Sequence, residues 1–212
     1  MKHFLKSILA VILLTYVVSN NVFAEQSVSP HKLIEQTAEE VLNVLKNDEV
    51  YIKANPNRIN DLVDEIILPI CDVERMGKYI LAKHWKTATD IQKQAFITEF
   101  QQLLIRTYGK HIVEYTNAEV TVLPEKRVEE KLYQTVSTKL DARNGIKPLQ
   151  VDYVFRVDDV SSKIVDVRME GMSILRTYRT AFTKEISETS LDQLIARIKL
   201  SNQPSFAYNT AR

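Results

Sequence analysis

Cysteine is almost missing from this chain. Cys71 is the single one in 212 residues, so no internal disulfide can form and stability must come from an apolar core. Glycine is nearly as scarce, at Gly77, Gly109, Gly145 and Gly171. That leaves no flexible linker and no glycine-rich loop to cradle a phosphate. Histidine is sparse too, and His31, His84 and His111 have no i, i+3 or i, i+4 spacing between them, which removes the usual helical metal site. Charge of one sign is also lacking, with 28 basic against 27 acidic side chains. A chain so balanced has no overall field for nucleic acid or for wholesale attraction to anionic lipid.

Long apolar runs are absent except at the start. Ile8 to Val18 is nearly all apolar, follows Lys2 and Lys6, and precedes Val22-Phe23-Ala24. This is the pattern of a secretory signal peptide, too short for a stable membrane span. Residues 1–24 are therefore expected to be cleaved. Cys71 is far from that junction, so no lipid anchor is expected there. The mature chain of 188 residues carries 26 basic and 27 acidic side chains, a net charge of −1. It is expected to form one domain over residues 25–201, with a flexible tail over 202–212.

What is present is periodicity. Ser29-Pro30 is an N-cap followed by a first-turn proline, ahead of Ile34, Ala38, Val41, Leu42 and Leu45 at helical spacing. Asn55-Pro56-Asn57 opens a second helix with Ile59, Leu62, Val63, Ile66 and Ile67, which Pro69 ends. A short helix, a polar break at Lys86-Thr87-Ala88 and a long helix follow. Thr89 stands at the N-cap of the long helix, and Phe96, Phe100, Leu103, Leu104, Tyr108 and Ile112 recur along it.

After Tyr115 the period falls to two. Strands are predicted over 119–123, 131–140 and 149–157, with a fourth through Val165, Val167 and Met169. Leu132, Val136 and Leu140 are expected on one face of the second strand, and Val151, Tyr153 and Phe155 on one face of the third. Gly171 then breaks the chain into a helix whose stripe is Met172, Leu175, Tyr178, Phe182 and Ile186. Ser190 with Gln193 is a capping box for the last helix. The expected fold is α+β: a curved four-stranded antiparallel sheet over 118–170, packed by helices from 29–115 and 172–201.

Catalytic chemistry finds little support. No Gly-x-Ser-x-Gly elbow occurs, and nothing marks Cys71 with a histidine as a nucleophile pair. Glu129-Glu130 and Asp158-Asp159 fall in turns or flanks, as solvated charge does. An isomerase-like or hydratase-like enzyme with a small pocket would rest on Asp152 and His111, and Asp152 faces away from Tyr153 and Phe155. A ligand-free interaction module is the other alternative. What remains is apolar lining, which suits an ordinary core and a ligand cavity alike.

The run Arg75-Met76-Gly77-Lys78-Tyr79-Ile80-Leu81-Ala82-Lys83-His84-Trp85-Lys86-Thr87-Ala88-Thr89, the spacing Phe96, Phe100, Leu103, Leu104, and the junction Glu170-Gly171-Met172-Ser173-Ile174 resemble the MlaC, or toluene-tolerance auxiliary, family. The resemblance spans essentially the whole mature chain through extended motifs. It implies a periplasmic phospholipid carrier without cofactor, metal or catalysis. Its implied partners are phospholipid, an inner-membrane ABC transporter complex with a substrate-binding ring, and an outer-membrane lipoprotein complex. No nucleic acid and no permanent membrane anchor are implied, and a monomer is expected. Tyr153, Phe155, Val167 and Met169 are then expected as the cavity floor, with Met76, Ile80, Tyr108, Met172 and Leu175 closing its sides. Arg156 and Arg176 are placed at a headgroup rim.

Overall fold

The computed structural model describes residues 28–55, 57–112, 115–124, 132–143, 145, 147–158 and 161–203; side chains 110–112 are outside this description. The expected signal peptide, Glu129-Glu130, Asp159, the His111 side chain and residues 204–212 of the tail lie outside it.

Helix α1 spans Pro30–Asn47, and the Ser29 hydroxyl accepts the Lys32 N–H at 3.3 Å. A short helix not expected from periodicity, α2 (Glu49–Ala54), follows directly. The second expected helix is less regular than its apolar spacing suggests. It begins as α3 (Arg58–Leu62), widens to a π-helical turn at Val63–Ile67 and tightens to a 3-10 turn at Leu68–Ile70. Pro69 lacks an N–H and cannot continue α-helical bonding, and the widened turn re-aims the apolar residues just before it.

Helix α4 (Val73–Leu81) starts at Asp72, whose side chain accepts the Arg75 N–H. Its end is marked by Ala82 at φ 52°, and a 3-10 turn, Ala82–Lys86, follows. The long helix α5 (Asp90–Ile112) opens on a reciprocal capping box. Thr89 Oγ1 accepts the Gln92 N–H at 3.2 Å, and Gln92 Oε1 accepts the Thr89 N–H at 2.9 Å.

The sheet has five strands in the order β1-β2-β3-β4-β5, all antiparallel. They are β1 (Glu119–Val122), β2 (Tyr133–Asp141), β3 (Leu149–Val157), β4 (Ser162–Met169) and β5 (Met172–Ser173). The fifth strand corrects the expected four. Glu170 and Gly171 adopt φ 48° and 79° in succession, the left-handed pair of a two-residue hairpin turn. Gly171 therefore folds the chain back, Met169 pairs with Met172, and helix α6 (Ile174–Glu188) starts only after Ser173 caps it. The last helix, α7 (Leu191–Asn202), runs into the expected tail. Asn202 Nδ2 donates to the Glu99 backbone carbonyl at 3.0 Å, which ties that end to α5.

Two further strand expectations are corrected. Leu132 lies outside β2 and is 55% exposed. The register between β3 and β4 shifts at Val154/Phe155, pairing Phe155 with Ile164 and leaving Val165 unopposed. A bulge of one residue reverses which side chains face inward. Ile164, 2% exposed, thus occupies the inner face where strict alternation places Val165.

The buried residues form two clusters. The larger joins α1, α4, α5, α6 and α7 to the sheet through residues such as Phe96, Phe155, Phe182 and Leu194. Phe96 and Phe100 stack at 5.7 Å, and Phe182 meets Phe96 edge-on at 6.0 Å. The smaller gathers Leu45, Ile52, Ile59, Leu62, Val63 and Ile105.

Candidate lipid-binding cavity

A cavity of about 590 Å³ adjoins both clusters. One wall is α1, through Ile34, Ala38, Val41 and Leu45. A second is the irregular segment after α3, through Val63, Ile67, Leu68 and Ile70. Helix α5 contributes Phe100, Leu104, Ile105 and Tyr108. The sheet forms the floor, with Val120, Leu140 and Leu149 in one cross-strand row, then Val151 beside Met169, and Tyr153 beside Val167. No charged side chain lines it among the described residues.

The polar groups of this lining are few: Thr37, Cys71, Gln101 and the phenols of Tyr108, Tyr115 and Tyr153. The Tyr153 phenol is pushed above its ordinary value by burial, and its hydrogen bond with Thr138 opposes that shift. Thr138 is fully buried, and its hydroxyl donates to the Val151 carbonyl at 3.3 Å. Tyr108 is also raised, first by burial and then by the neighbouring Tyr178 phenol. Burial pushes the Cys71 thiol up to about 12, against the pull of nearby Lys163. Cys71 is half-buried and lines the cavity. The segment around it also covers part of the outer edge of β4. Cys71 bridges Ile164 in parallel, the Asp72 N–H donates to the Ile164 carbonyl at 2.9 Å, and Lys163 Nζ donates to the Pro69 carbonyl.

Of the residues expected at the cavity, Met76, Tyr108, Tyr153, Val167, Met169 and Leu175 line it. Ile80 and Phe155 do not reach its surface; both are 0% exposed within the larger cluster. Phe155 keeps the inward parity of Val151 and Tyr153 but packs within the larger cluster, the residue added by the bulge being Val165 on β4. Met172 is 70% exposed: it pairs with Met169 on the two-residue edge strand β5, which has no further strand beside it. Neither rim arginine is on the lining. Arg156 lies near the far end of β3 from Leu149, opposite Tyr133. Arg176 is exposed in the first turn of α6. Asp152 alternates with Val151 and Tyr153 and so faces away from the cavity, where it accepts Gln150 Nε2 at 3.0 Å.

Much of the lining was not singled out from the sequence. The α1 stripe was visible as an apolar face, but a stripe does not say whether it meets side chains or a hollow. Val63 and Ile67 belong to the expected stripe, whereas Leu68 and Ile70 reach the lining from a 3-10 turn that leaves no periodic signal.

The architecture is thus an open antiparallel sheet packed by helices, with an uncharged pocket between them. The family model described as MlaC protein matches residues 35–200, and the chain belongs to that family. It is 22% identical over 205 residues to the intermembrane phospholipid transport system binding protein MlaC of Haemophilus influenzae, covering 96% of this chain and 95% of that one. It is 29% identical to the toluene tolerance protein ttg2D of Pseudomonas putida, covering 77% and 76% of the two chains. The fold matches that of a phospholipid-binding protein from Ralstonia solanacearum, solved in complex with a phospholipid. The TM-score is 0.75, the identity 24%, and the match covers 82% of this chain and 97% of that one.

Proposed function

We propose that this protein is a periplasmic phospholipid carrier that encloses acyl tails in the cavity and leaves the headgroup in water. The observation that carries this is the uncharged hollow walled jointly by helices and sheet. The names of its relatives, a phospholipid transport binding protein and a phospholipid-binding protein, support it. Among the described residues no helix is long and apolar enough to cross a membrane.

The energetics favour such a device. Each methylene exposed to water costs about 0.8 kcal/mol, so two long tails crossing an aqueous gap face roughly 20 kcal/mol or more. Apolar walls remove that cost without chemistry on the cargo. Met76, Tyr108, Tyr153, Val167, Met169 and Leu175 are the proposed tail contacts, with Ile80 and Phe155 packing within the adjoining core. In the cell the carrier passes lipid between an outer-membrane lipoprotein complex and an inner-membrane ABC transporter, and so maintains outer-membrane lipid asymmetry. It does so as a monomer, without a cofactor or catalysis.

Native mass spectrometry of protein purified from periplasm without detergent tests this. Mass increments equal to intact diacyl phospholipids are expected. A protein at its bare mass, still bare after incubation with phospholipid vesicles, refutes the carrier function.

A further inference from the structure

Two of the helices that wall the cavity turn a different chemistry outward. Helix α4 buries Met76, Gly77, Ile80 and Leu81, so Arg75, Lys78 and Tyr79 stand on its outer side, and all three are exposed. Helix α6 buries Leu175, Phe182 and Ile186 and exposes Arg176 and Arg179. The helices pack on each other. The Arg179 guanidinium lies 4.8 Å from the Tyr79 ring centroid, which joins the two outer faces into one surface. Met172 is exposed four residues before Arg176.

The charge of this surface is largely uncompensated. Arg75 is held by Asp72 at 2.8 Å. Lys78, Lys83, Lys86, Arg176 and Arg179 have no carboxylate within 4.0 Å among the described residues. From Val73 to Lys86 there are four basic side chains and one acidic, Glu74, whereas Pro30 to Ile70 holds four basic and eight acidic. A chain close to neutral overall therefore has a local basic excess on α4 and the turn after it and a local acidic excess from α1 to the 3-10 turn at Ile70.

We propose that the α4–α6 face docks on an anionic lipid bilayer. Arg176, Arg179 and Lys78 meet headgroup phosphates, with Tyr79 and Met172 at the interfacial level. An anionic bilayer supplies a uniform planar field that needs no matching contour. That suits two packed helices carrying long exposed cations better than an acidic protein pocket does. The acid-rich α1–α3 segment is repelled by the same field, which disfavours an approach through those helices. Because the net charge is near zero, the attachment is weak, salt-sensitive and reversible. This docking does not rest on what the cavity carries.

Cosedimentation of the mature protein at low ionic strength tests it, comparing phosphatidylethanolamine/phosphatidylglycerol vesicles with phosphatidylcholine vesicles. Binding to the anionic vesicles alone is expected. Neutralising two cations in Arg176→Gln/Arg179→Gln lowers partitioning by about thirty-fold. Lys78→Gln/Lys83→Gln, an independent pair, lowers it in the same direction. Lys32→Gln/Lys46→Gln on the acidic side leaves it unchanged. Equal binding to phosphatidylcholine, or an equal loss in the acidic-side control, overturns the proposal. So does absence of binding to anionic vesicles, which leaves an acidic protein as the occupant of this face.

Discussion

Enlarging Ala38 separates a cavity from an ordinary core. Ala38 lines the hollow from α1, and Ala38→Trp places an indole into it. A tryptophan buries about 150–250 Å², and at about 25 cal/mol per Å² its burial stabilises by up to roughly 4–6 kcal/mol. Ala38 is half-buried, so about half of that is a fair expectation, or ~2–3 kcal/mol. In a filled core the same change overpacks and costs about 1–3 kcal/mol. The two cases thus differ in sign. For a domain of this size 1 kcal/mol moves the midpoint by about 2–4 °C. Delipidated Ala38→Trp is therefore expected to melt roughly 4–12 °C above the delipidated parent, and to retain less lipid in native mass spectra. A variant that melts lower and still loads fully refutes an open hollow at this wall.

Two other changes test the shell. Phe182 is 3% exposed and meets Phe96, Phe100 and Tyr178 at 6.0, 6.1 and 5.3 Å; Phe182→Ala is expected to cost about 3–5 kcal/mol in urea unfolding, and a loss under about 1 kcal/mol contradicts the packing described. Cys71 has its folded-state pKa raised, so the unfolded chain loses this proton first as pH rises. The stability present below about pH 9 is then lost progressively toward about pH 12, and Cys71→Ala should flatten that alkaline decline in equilibrium unfolding. The thiol should also resist an aqueous disulfide reagent at pH 8 in the folded protein and react in denaturant; fast reaction in the folded state argues against its burial.

The readable parts were those governed by local rules. Ser29, Thr89 and Ser190 all cap helices as their positions suggest, because a cap depends on residues three apart. The β3 pattern correctly placed Val151 and Tyr153 inward and Asp152 outward, because strand parity is a property of the backbone. The short α2 helix escaped notice, since six residues with a single buried side chain, Ile52, leave no periodic trace.

Taken alone, the sequence determined the α+β order of elements, the helix starts at Ser29, Thr89 and Ser190 and most apolar faces, since propensity, capping and periodicity act over a few residues. Tertiary structure decided which apolar residues face a hollow and which face one another. A bulge opposite Val154/Phe155 adds Val165 to β4 and exchanges it for Ile164 on the inner face. A left-handed pair at Glu170-Gly171 makes a fifth strand and leaves Met172 exposed on the sheet edge. The π and 3-10 turns after Leu62 add Leu68 and Ile70, outside the expected stripe, to the wall beside Val63 and Ile67. Each is a shift of one or two residues, and only the packing of distant elements gives such a shift its consequence.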